Sequence, residues 1–94
     1  MLTYKASYKF TDDTVLAAVL DFPGTVTLGD DLEDARRSLA SALEDTAETN
    51  LLLGEPLPRP DPTRTDPDAD IEEPIYLLLT ATTRIVCIPQ GQAP

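Results

Sequence analysis

Residues 15–54, VLAAVLDFPGTVTLGDDLEDARRSLASALEDTAETNLLLG, decide the fold, because within them the spacing of apolar positions changes from a strand's to a helix's. VLAAVLDF at 15–22 reads as a strand that is apolar on both faces, Pro23-Gly24 breaks it, and Thr25–Leu28 reads as a short further strand. A helix follows. Asp30 is its expected N-cap, with Glu33 three residues on completing a capping-box pattern. Leu32, Ala35, Leu39, Ala42, Leu43, Thr46 and Ala47 recur at the 3.6-residue period, while Glu33, Asp34, Arg37, Ser41, Glu44, Asp45 and Glu48 fall on the other side. One stripe is expected to face a sheet and the other water. Asn50 and Gly54 are stop residues, which places the helix end between 49 and 53.

Upstream, residues 3–10 (TYKASYKF) alternate Tyr4, Ala6, Tyr8 and Phe10 against Thr3, Lys5, Ser7 and Lys9, the period of a strand with one wet face. Turn formers at Thr11–Thr14 join it to the 15–22 strand as an antiparallel pair, and with Thr25–Leu28 the three make a meander. Downstream, GEPLPRPDPTRTDPDADIEEP at 54–74 is dense in prolines and acids that oppose helix and ladder alike. Its middle, 61–73, reads as a mobile, extended acidic loop. Residues 75–88 (IYLLLTATTRIVCI) return to β-branched and apolar residues, as one long strand or as a hairpin turning near Thr82-Thr83.

The expected architecture is one α+β domain over residues 1–94: a core of meander and helix in 1–60, the acidic loop, and one or two C-terminal strands in 75–88 completing an antiparallel sheet. A single helix covers only one sheet face. The apolar character of the second strand and of Ile75–Leu79 on both faces therefore calls for a homo-oligomer, a heterologous partner, or both.

Seventeen acidic against seven basic residues give a formal charge of −10, which repels nucleic-acid phosphates and anionic membranes and steers in a basic partner. With no histidine and the single cysteine Cys87, disulfides, Cys/His zinc sites and His-based catalytic triads and dyads are excluded. The four glycines are too dispersed for a phosphate loop. No apolar run approaches the ~20 residues of a membrane span. The start MLTYKASYKF lacks a signal-peptide apolar region, so a cytoplasmic protein is expected.

Five features invite sharper readings. Asp66, Asp68 and Asp70 alternate as calcium ligands do, but Ile71 and Leu77 stand where the turn glycine and bidentate glutamate belong, so a solvated loop is the better account. Asp12, Asp13, Asp21 and Glu33 are the residues that would form a two-metal nuclease cluster, yet each has a local role as turn former, strand end or cap. Cys87 in an apolar strand reads as a small hydrophobe. Pro56-Leu57-Pro58-Arg59-Pro60 has the form of a polyproline ligand but follows a helix as a turn would. The acidic helix face is the remaining candidate, and Asp34, Arg37, Glu44, Asp45 and Glu48 are the residues expected to meet a basic partner. No catalytic residue, metal or cofactor is expected.

The run Asp21-Phe22-Pro23-Gly24-Thr25-Val26-Thr27-Leu28-Gly29-Asp30-Asp31-Leu32-Glu33-Asp34-Ala35, followed by Gly54-Glu55-Pro56-Leu57-Pro58-Arg59-Pro60, resembles the HicB antitoxin family over roughly residues 4 to 60. The family often carries cysteine where Thr25 stands and proline where Leu20 stands. The resemblance implies a partial RNase H-like fold without nuclease activity that blocks a small basic HicA-like toxin, an mRNA-cleaving protein. Longer members add a promoter-binding domain, and residues 89–94 are too few to build one, so direct nucleic-acid binding is not expected.

Overall fold

A computed structural model describes residues 1–79 and 85–88, with side chains for 1–78. Five strands, β1 (Leu2–Phe10), β2 (Val15–Val19), β3 (Val26–Gly29), β4 (Ile71–Leu79) and β5 (Ile85–Ile88), form one antiparallel sheet in the order β3-β2-β1-β4-β5. One helix, α1 (Leu32–Leu52), lies on one face. The expected α+β architecture holds, and the C-terminal segment is two antiparallel strands with Tyr76 opposite Ile88 and Leu79 opposite Ile85. The turn expected at Thr82-Thr83 and the tail from Pro89 lie outside the described residues.

The alternation in β1 does what its period implies from Tyr4 to Tyr8 and fails at the strand's end, where Phe10 is 47% exposed. Tyr4, Ala6 and Tyr8 are buried toward α1, against Val15, Ala17 and Val19 of β2 and Ile75 and Leu77 of β4. Ala35, Leu39, Leu43 and Ala47 close this core from the helix. The stripe is narrower than read: Leu32, Ala42 and Thr46 are only half-buried, while Ala40, not counted in it, is buried. Tyr4 and Phe22 meet edge to face at 5.4 Å between ring centroids, and the Tyr4 hydroxyl donates to the Pro58 carbonyl at 2.7 Å.

Two helix expectations are corrected or refined. The N-cap is Asp31, not Asp30: its Oδ1 accepts from the Asp34 amide at 2.8 Å, and the Asp34 carboxylate in turn takes the Asp30 amide. The box sits one residue later than read because Asp34, and not Glu33, reaches back; Glu33 binds Arg36 instead. At the other end Glu55 donates to the Asn50 carbonyl and Gly54 to that of Leu51, a Schellman closure that requires the positive φ of +72° at Gly54.

The second strand is shorter than 15–22. It ends at Val19 because Phe22 donates back to the Val19 carbonyl, and because the Asp21 carboxylate, not a backbone carbonyl, accepts the Lys5 amide at 3.1 Å. The third strand is displaced by one residue, to Val26–Gly29. The last segment begins earlier than read, at Ile71, and tolerates Pro74 because β5 pairs with β4 only from Tyr76 onward, leaving β4 an edge there.

The chain between α1 and β4 differs most from expectation. β4 runs antiparallel to β1, so the helix alone does not return the chain to the start of β4, and residues 53–70 must carry it to the Phe10 end. Leu57 and Pro58 stay on the core side, and from Asp61 onward the chain crosses the face opposite the helix. Lys5 Nζ donates to the carbonyls of Pro62 (3.0 Å) and Arg64 (2.7 Å), Arg64 donates to the Leu20 carbonyl, and Asp70 bonds both Tyr8 and Phe10 backbone groups. The loop expected to be mobile is extended but pinned, and beneath it Ser7 is only 5% exposed.

Candidate protein-binding surface

The helix-face candidates stand together on the outer side of α1, but they are not equivalent. Asp34 is committed to the N-terminal closure and to an ion pair with Arg37 at 3.4 Å. Asp45 and Glu48 are exposed and take part in no ion pair among the described residues, and Glu44 is half-buried. Only part of the predicted patch is thus an uncommitted acidic surface.

The helix and a segment read from sequence as loop meet in a buried-edge ion pair. Arg36 makes two hydrogen bonds to the Glu73 carboxylate, at 3.1 and 2.8 Å, and a third to Glu33 at 2.7 Å. Glu73 has 8% of its side chain exposed, and its hydrogen bonds hold the Arg36 guanidinium more firmly protonated than usual. Burial pushes the nearby Tyr8 phenol well above its ordinary value, and the charge of Glu73 adds to the effect. The pair clamps α1 to β4. Its sequence signal is an acid at a core-facing strand position, Glu73 opposite Ala6, which the 61–73 loop assignment concealed.

The carboxylates weighed as metal ligands are used locally. Asp12 and Asp13 are exposed in the β1–β2 turn, Glu33 binds Arg36, and Asp21, buried, accepts the amides of Lys5 and Asp61. Asp66 accepts from the Asp68 amide and Asp70 from that of Phe10. Among the described residues no three Cys, Asp or Glu side chains are placed to hold a metal ion. Asp61 receives both the hydroxyl and the amide of Thr63, which holds its carboxyl below the ordinary range. Pro56–Pro60 is not a free ligand segment, since Leu57 packs on the core and Pro58 receives Tyr4. The side chain of Cys87, in β5, lies outside the described residues.

The face opposite the helix carries a different feature. Leu16, Val26 and Leu28 are 40, 61 and 56% exposed there, side by side in β2 and β3. β3 is the end strand of the sheet. Val19 donates to the Thr25 carbonyl, so in this antiparallel ladder Thr25, Thr27 and Gly29 bond inward, and the backbone N–H and C=O of Val26 and Leu28 point away from the sheet. Asp30 and Asp31 follow β3 directly, Asp12 and Asp13 lie in the β1–β2 turn at the same end of the sheet, where Val15 faces Gly29, and none of the four has an ion-pair partner among the described residues.

On the wet side of β1 and β4, Thr3, Lys5, Pro62, Glu72 and Pro74 line an open cleft of about 360 Å³. Lys5 is spent on the loop carbonyls and on Glu72 at 3.7 Å, so the cleft offers little polar chemistry to a ligand.

No family model matches the chain, and neither a curated protein nor a solved structure matches it. No helix among the described residues is long and apolar enough to cross a membrane.

Proposed function

We propose that the chain is a non-catalytic protein-binding domain, an antitoxin-type neutraliser that acts in the cytoplasm by covering a small basic HicA-like mRNA-cleaving protein. The observation that carries this reading is the coincidence, at one side of the sheet, of the exposed apolar side chains Leu16, Val26 and Leu28 with four acids, Asp12, Asp13, Asp30 and Asp31, that form no ion pair among the described residues; Lys9, opposite Leu16, is the one base beside them among those residues. Apolar contact supplies affinity and the acids supply orientation and on-rate. The HicB-like motif order in residues 21–60 supports the choice of partner class. The test is capture of partners at low salt on the tagged full chain, followed by RNA cleavage by the recovered small basic protein alone and in the complex. The expected result is cleavage that disappears in the complex. Cleavage unchanged by stoichiometric complex overturns the neutraliser reading.

A second reading, an orphan oligomeric scaffold of the same fold, has its own observation: Leu51, Leu52 and Leu53 are 44, 88 and 67% exposed at the end of α1. It predicts a homo-oligomer in light scattering that Leu52→Glu dissolves.

A further inference from the structure

We infer that the outer edge of β3 accepts an extended segment of a basic partner as a sixth strand, its cationic residues meeting Asp12, Asp13, Asp30 and Asp31. The inference rests on the protein-binding reading above and names the surface and the mode of contact. An edge strand offers a row of unpaired donors and acceptors, and proteins ordinarily blunt it with a lysine, a proline or a bulge. Val26–Gly29 contains none of these; its only protection is that it is four residues long. Val26 and Leu28 also present their side chains on the open face, next to Leu16, so an added strand with apolar residues at alternate positions gains backbone bonds and side-chain burial together.

Charge selects the occupant. Asp30 and Asp31 lie at the C-terminal end of β3, with Asp12 and Asp13 in the β1–β2 turn at the same end of the sheet, against the single Lys9 opposite Leu16; Arg36 and Arg37, the nearest bases on α1, are occupied by Glu33, Glu73 and Asp34. A second copy of this chain, itself at −10, brings the same acids to the same edge. A basic segment added antiparallel places its N-terminal cations beside those acids.

The experiment uses the full ¹⁵N-labelled chain and the synthetic peptide KKVTVTV, with EEVTVTV as its charge-reversed counterpart. Amide shifts and hydrogen exchange are followed at Val26 and Leu28. The expected result is slowing of exchange at both amides by about tenfold or more with the lysine peptide and none with the glutamate peptide. Leu28→Lys, at an exposed position, is expected to keep the dispersed spectrum of the folded chain and to lose this protection. Protection by both peptides alike, protection at Ile85–Ile88 instead, or protection that grows with protein concentration without peptide each overturns the assignment. Shifts confined to Arg37, Asp45 and Glu48 also overturn it while leaving the protein-binding reading intact. That reading falls separately, by the cleavage assay.

Discussion

Asp21 joins two segments distant in sequence: one oxygen takes the amide of Lys5 in β1 and the other the amide of Asp61 in the loop, at 3.1 and 2.9 Å. Asp21→Ala strands two amides beneath the loop and is expected to destabilise the fold by about 1–3 kcal/mol in urea denaturation, with faster exchange at Asp61. Asp61 supplies a pH response of known direction. Its carboxyl is depressed by Thr63, so the folded state binds this proton less readily than the unfolded chain. The contribution is full at neutral pH, persists down to the ordinary carboxylate range and is lost as pH falls through the depressed value. An NMR titration of the Thr63 amide is expected to report its midpoint below that of an exposed aspartate. The role of Asp21 is not legible in the sequence, whereas the Asp61–Thr63 contact is local, two residues apart. Asp21 before Pro23-Gly24 looks like any turn acid, because the residues it binds are 16 and 40 positions away.

At the scale of elements, the junction of β3 and α1 leaves no room for a side chain at Gly29. A Cβ on Gly29 would stand 2.4 Å from the Ala35 amide nitrogen and 2.6 Å from its Cα. Backbone cannot rotate aside as a side chain does, so Gly29→Ala must displace the first helical turn; a loss of about 3 kcal/mol in the thermal or urea midpoint is expected. The strands and helix themselves are legible because each has a local signal: alternation in β1, the 3.6-residue stripe in α1, a glycine past the helix end. Boundaries move by one residue where two acids compete for one role, as Asp30 and Asp31 do. The path of residues 53–70 has no local signal at all. Prolines and acids announce an absence of ladder; the strand direction of β4 requires only a return to the Phe10 end, and the contacts of Lys5, Leu20 and Asp21 set the face it takes.

For the whole molecule, the charge of −10 is the property that reaches farthest from the surface. Association with a basic partner is expected to slow by roughly tenfold or more between about 0.05 and about 0.5 M salt, with a much smaller change in dissociation rate, as stopped-flow kinetics would measure. A salt-independent on-rate would mean that the acids do not face the partner. The two-layer α+β architecture is legible from the order of segments, whereas the candidate surface is not: exposure of Leu16, Val26 and Leu28 depends on where the loop runs. The same topology bears on how the chain is born. β1 is central in the sheet, yet its neighbours are made at different times: Tyr8 pairs with Ala17 almost at once, while Tyr4 must await Ile75. At ~5–20 residues per second of synthesis, that wait is on the order of 4–14 s. Until residue 71 emerges, β1 has at most β2 beside it, and since a lone two-stranded hairpin is only marginally stable, the interval is the one in which a chaperone that shields strand edges has most to bind.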